Sequence, residues 1–199
     1  MTALLPSAAV RAAAELAGRA VSVVRPDQLS AGTPCRDWDV RGVLDHLAWA
    51  AVLAQRSATR LPLEHDWSSG APAPFLDGVP AAGWGPLIAE ELDVAADAWA
   101  DVAAWEGETV LGAAAMPAAV VGSMMLADIA LHGWDVARAA GASYPVPAEL
   151  GEAVLAAVQP IAPMGRDGGW YGPEVPVAAG APAFEQALGL TGRDPGWTA

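Results

Sequence analysis

Residues 116–141, MPAAVVGSMMLADIALHGWDVARAAG, decide the fold. From about Ala118 to Ala140 nothing interrupts a helix, and Gly141 stands where a C′ glycine ends one. Apolar side chains run nearly all the way round it. Leu126, Ile129, Ala130, Gly133, Trp134 and Ala137 cover one side, with Val121, Met124, Met125 and Ala139 on the other. A helix of that kind is buried on both sides. Asp128 and His132 nevertheless share the Val121/Met125/Ala139 face, four residues apart and so one above the other. A carboxylate is seldom buried unless something satisfies it. A metal ion would satisfy acid and imidazole together. A hydrogen bond between the two, or a water-filled groove facing both, is the commoner use of this spacing.

Working outward, three more helices fit around this one. Residues 4 to 24 place Leu5, Ala9, Ala13, Leu16, Ala20, Val23 and Val24 at helical spacing, with no breaker until Pro26. A turn-rich stretch follows, in which Asp37 or Asp39 is positioned to cap a second helix from Val40 to about Arg60. Residues 61–83 read as a long Pro/Gly/Ser-rich loop, and a third helix is expected from Trp84 to about Trp105. Between it and the fourth, Gly107 to Met116 suits a short strand or hairpin. Pro147 to Pro160 supports a short fifth helix, residues 163–177 read as loop, and Pro182 to Leu190 as a last helical turn or two. The expected fold is all-α: a four-helix bundle over residues 1–145, with residues 146–199 as a short helical and loop appendage packed on the same domain.

Composition narrows the function. The chain has 199 residues, and 47 of them are Ala, so the core is built from small side chains with nine Trp as the bulky exceptions. All ten basic residues are Arg, and 23 acids leave a net charge of −13. Such a surface repels phosphate backbones and anionic lipid, which argues against nucleic-acid or membrane partners. The one uncharged run of membrane-like length, Val110 to Ala127, is Ala-dominated, contains Gly112 and Pro117, and lacks a basic flank. No basic region precedes the N-terminal apolar stretch as a signal peptide requires. A single cysteine excludes an internal disulfide and a Cys-rich zinc site. The expectation is a soluble cytoplasmic protein, monomer or homodimer, acting on a small molecule.

Few residues can carry chemistry. His46 lies on the flank of the second helix's apolar stripe, where a lone histidine is more often a core residue than a ligand. With only three His in the chain, two of them on bundle helices and one joined by an acid, the inventory reaches the two-His, one-carboxylate minimum for a catalytic metal. The third, His65, sits in the polar loop and reads as solvent-exposed. Asp135, a further turn along the face of Asp128 and His132, can orient a ligand imidazole or pair with Arg138 three residues on. Cys35 precedes the second helix and reads as a buried, inert thiol rather than a nucleophile. Trp38, Trp49, Trp84, Trp99, Trp105 and Trp134 read most simply as core and rim packing, with pocket lining by a few of them left open. GRDGGWYG is not a phosphate-binding loop, and no serine sits in a nucleophile elbow.

Two blocks, TPCRDWDVRGVLDHLAW at 33–49 and the stretch at 116–141, together resemble the mycothiol-dependent maleylpyruvate isomerase family. The likeness is closer still to its actinobacterial metal-binding branch, within the DinB-like superfamily. The tail, RDGGWYGPEVPV with LGLTGRDPGW, is similar to that branch too. The resemblance implies a DinB-like bundle holding a divalent metal, zinc first with nickel or iron as alternates, on His46, Asp128 and His132. Asp135 and Arg138 would stand behind the ligands. The implied activity is a metal-dependent thiol transferase or isomerase that uses a low-molecular-weight, mycothiol-like thiol on a small electrophile. A metal-dependent hydrolase, lyase or iron oxygenase, or a non-catalytic metal-binding bundle, are the alternatives. At one position the chain departs from the isomerases, which carry Glu where it has Asp128.

Overall fold

The computed structural model describes residues 4–62, 75–111 and 114–199. Its bundle is made of four helices: α1 (Pro6–Ser22), α2 (Val40–Thr59), α3 (Trp84–Ala98) and α4 (Ala118–Ala139). The central one is α4, buried along most of its length and packed against α1 and α2. Small residues let the backbones approach closely. A Cβ added at Gly133 would stand 2.8 Å from the Ala17 methyl of α1 and 2.6 Å from the Tyr144 hydroxyl. One at Gly122 would collide with Trp105 and Trp99. Bulky side chains fill the remaining space: Trp99, Leu44, Leu47, Ile88, Leu92 and Ile129 are fully buried.

The start of α2 is fixed twice. Asp39 is the cap, its carboxylate accepting from the Gly42 N–H at 2.9 Å. The preceding loop is pinned to the helix by Val40 N–H to Ala31 carbonyl and Arg41 N–H to Leu29 carbonyl. At the other end Arg60 turns into the left-handed region (φ 56°) and donates to the carbonyls of Ala103, Glu106 and Glu108. A two-stranded antiparallel hairpin, β1 (Glu108–Leu111) with β2 (Ala114–Pro117), leads into α4.

Two boundaries differ from expectation. The third helix stops at Ala98 rather than near Trp105. Its apolar spacing continues, but the chain turns into a separate 3₁₀ segment, Val102–Trp105, capped by Asp101. There the Trp105 indole N–H donates to the Trp99 carbonyl. Residues 163–177 are not all loop, because Ala162–Asp167 form a short helix, α6, that carries Pro163 in its first turn and stops at Gly168. It follows α5 (Ala148–Val158), and α7 (Ala183–Leu190) closes the appendage, packing on α5, which in turn packs on α4. Among the described residues these seven helices and one hairpin make an all-α bundle with a C-terminal appendage. None of those helices is long and apolar enough to cross a membrane.

Candidate metal centre

Four segments meet at one point beside α4. From α2 comes His46, whose Nε2 lies 3.1 and 3.2 Å from the two carboxylate oxygens of Asp128. From α4 comes His132, whose Nε2 lies 3.6 Å from Asp128 Oδ1. The two imidazole rings are 4.6 Å apart, near edge-on. The loop before α2 lays the half-exposed Trp38 indole against both, at 4.7 Å from His46 and 5.5 Å from His132. Trp49 flanks His46 from within α2 at 5.4 Å.

The fourth segment is the chain's tail. The Arg193 guanidinium grips Asp135 through Nε at 3.0 Å and its terminal nitrogen at 2.7 Å. Both side chains are almost completely buried, Asp135 at 0% and Arg193 at 5% exposure. Asp135 Oδ2 also lies 3.0 Å from His132 Nδ1. The Arg193 terminal nitrogen approaches the same Nδ1 only at 3.4 Å. The shorter, charge-assisted contact decides the tautomer: Nδ1–H donates to Asp135, which leaves the Nε2 lone pair facing Asp128. A lone pair and a carboxylate oxygen 3.6 Å apart are two acceptors turned toward each other. A cation held between them would reconcile the two.

Electrostatics separates the charged groups from the neutral ones. Burial alone would raise the Asp128 pKa, but His46, His132 and Arg193 outweigh it and hold the carboxylate at about 2. Burial, helped by the charge on His46, keeps His132 low and hence neutral, against the pull of Asp135. Asp135 is held below the usual carboxylate range because Arg193 and His132 overcome its burial. Burial and the charge of Asp128 push the Tyr171 hydroxyl up to about 12, so it stays protonated. Burial, with Asp135 nearby, pushes the Cys35 thiol up to about 11.

Two groups of residues here have donor atoms close enough to share an ion: His46, Asp128 and His132, and Cys35, His132 and Asp135. The second is chemically poor, since its thiol resists ionisation and its carboxylate is already neutralised by Arg193. The first fits. Ligands about 2.0–2.1 Å from a tetrahedral ion stand roughly 3.3–3.4 Å apart, and the observed imidazole–carboxylate separations of 3.1 to 3.6 Å bracket that value.

The structure therefore brings His46, Asp128, His132 and Asp135 together. It turns Arg138 elsewhere: its guanidinium donates to the Trp197 carbonyl and lies 5.9 Å from the Trp134 ring, while Asp135 takes Arg193 instead. His65 lies outside the described residues. Trp38, one of the tryptophans left open between packing and pocket lining, forms a wall of the site. Arg193, which pattern reasoning missed, reaches it from the tail, and Tyr171, missed as well, lies near enough to feel the charge of Asp128. Tyr171 and Arg193 fall in the two tail segments similar to the metal-binding branch, and that likeness was the available signal.

The family model of the mycothiol maleylpyruvate isomerase N-terminal domain matches residues 10–137. The chain belongs to that family. The matched span, a DinB-like domain, holds His46, Asp128, His132 and Asp135 and ends before Tyr171 and Arg193. No curated protein and no solved structure matches the chain. Mycothiol maleylpyruvate isomerase domains are typically metal-binding, and this member has a donor set suited to that task.

Proposed function

We propose that this protein is a metal-dependent enzyme of the thiol-transferase or isomerase type, which brings a low-molecular-weight thiol such as mycothiol to a small electrophilic substrate. The observation that carries the reading is the convergence of two imidazole Nε2 atoms on one ionised carboxylate, with the far nitrogen of His132 already committed to Asp135. His46, Asp128 and His132 would hold a divalent ion, zinc for preference. When bound, such an ion supplies a Lewis acid that keeps a thiol as its thiolate at neutral pH.

The chain's own residues divide the remaining work. Asp128 stays ionised throughout the physiological range, so no proton has to leave it before it can bind a cation. Trp38 shields one side of the imidazole pair from water. Tyr171, its hydroxyl raised by burial and by the charge of Asp128, keeps its proton. Cys35, its thiol pushed up to about 11 by burial, is a poor nucleophile, which suits a thiol supplied from outside.

Two measurements test this. Metal content should fall close to zero in His46→Ala and His132→Ala and partly in Asp128→Ala. Purified protein loaded with zinc should consume thiol in the presence of an electrophile, and no consumption across a broad panel of electrophiles would overturn the reading. The two-His, one-carboxylate set also suits ferrous iron. Iron found by elemental analysis, together with oxygen uptake, would replace the thiol reading with an oxygenase.

A further inference from the structure

We infer that Arg193 is a positioning residue: by fixing Asp135 it holds His132 in its metal-binding tautomer, and so it couples docking of the C-terminal tail to metal affinity. The inference rests on the metal-site reading above and adds a control element from a different part of the chain.

Three observations carry it. The first is wiring: Arg193, Asp135 and His132 form one continuous series of contacts at 2.7 and 3.0 Å, ending at the imidazole whose other nitrogen faces Asp128. The second is burial. With Asp135 fully buried and Arg193 nearly so, water cannot replace either partner, and loss of Arg193 leaves an uncompensated carboxylate beside His132. Without the guanidinium fork that carboxylate is no longer held in place, and Nδ1–H loses its fixed acceptor.

The third is the origin of Arg193. It lies 58 residues from Asp135 in sequence, just beyond α7, in a tail whose position depends on a few specific contacts. The Arg193 N–H donates to the Leu188 carbonyl at 2.9 Å. Gly192 adopts φ +82° with its Cα so close to Gly172 that an added Cβ would stand 2.6 Å from the Gly172 Cα. Arg166 holds the Leu190 carbonyl at 2.9 Å, and Arg138 holds the carbonyl of Trp197. Anything that lifts this tail withdraws the guanidinium from Asp135. Linkage makes the effect reciprocal, so metal binding must tighten the tail by the factor by which the docked tail tightens the metal.

The test compares the full-length wild type with Arg193→Gln, Arg193→Lys, Gly192→Ala and Arg138→Gln. Zinc affinity is read by competition with a chromophoric chelator, and the His132 tautomer by ¹⁵N NMR of the metal-free protein. Arg193→Gln should weaken zinc about 10–100-fold, the usual range for a partner behind a ligand histidine. It should also erase the protonated-Nδ1 signature of His132. Lys restores the charge but not the two-pronged grip, and should recover affinity only in part. Gly192→Ala, which displaces the tail without touching the pair, should weaken zinc in the same direction. Arg138→Gln, anchored further along, should do so least.

In the wild type, zinc should slow amide exchange across residues 187–199. If wild type binds zinc while Arg193→Gln and Gly192→Ala bind it equally well, with the His132 tautomer unchanged, the coupling is wrong and the metal site stands. If wild type binds no divalent metal, the site reading itself fails.

Discussion

Two carboxylates on α4, two turns apart, make the informative comparison. Asp135 is sealed in the interior and fully answered by the protein, with an arginine fork on one side and an imidazole N–H on the other. Asp128 keeps 26% of its side-chain surface exposed, and its nearest partners are two histidine nitrogens, one of which offers a lone pair. The same residue type on the same helix thus does two different jobs. Asp135 closes an internal circuit, whereas Asp128 leaves one open for something positively charged from outside. An acid whose charge the chain has already neutralised is structural, and an acid left partly unanswered beside imidazoles is a binding group.

The sharpest way to break this contrast is to remove the buried acid. Asp135→Asn strands the Arg193 charge and should destabilise the metal-free protein by about 3–5 kcal/mol in urea unfolding. A loss below about 1 kcal/mol would mean that Asp135 is no more structural than Asp128. Next in size is the reactivity of Cys35, which sits on the closed side beside Asp135. With its pKa pushed from 9.0 to about 11, the thiolate population at neutral pH is about 100-fold lower than in a free peptide. Alkylation by iodoacetamide should be slower by at least that factor. It should speed up in Asp135→Asn, where Arg193 alone remains to favour the thiolate.

The smallest effect belongs to the open side. Asp128 is depressed from 3.8 to about 2, so the stability it contributes is complete above about pH 4 and is lost as pH falls toward 2. Its size is about 2 kcal/mol or less, and Asp128→Asn should flatten that acid limb of the stability curve measured without metal. An unchanged limb would show that the two imidazoles do not hold the carboxylate in its charged form.

What could be read from the sequence follows the range of the interactions. The four bundle helices announce themselves because a stripe of apolar residues is a local signal, and so does the stacking of Asp128 and His132, which only helical spacing requires. The stripe on α2 puts His46 only on its flank, and its meeting with Asp128 and His132 was legible from the count of three histidines and from the family resemblance. Reading past the end of α3 came from the same stripe, which carries on through Trp99 and Trp105 after the chain has turned. The short α6 was hidden among glycines and prolines whose local preference is for turns. For Asp135 helical spacing suggests two partners, a ligand imidazole and Arg138 three residues away, and only the imidazole contact forms. The actual partner in place of Arg138 lies 58 residues further along, beyond α7, and no local pattern encodes a contact of that kind. Trp38 and Tyr171 belong to the same class, since aromatics on loops carry no periodicity to show which way they face.

The close seat of α4 on α1 has an effect that reaches beyond packing. Where Gly133 rests against Ala17 only a methyl group separates the two backbones, and a methyl cannot bend aside. A rod held that way can neither roll nor slip by a residue without steric collision. The residue beside that glycine is His132, and α1, which lends no donor atom, thereby acts as the jig that sets where its imidazole can reach.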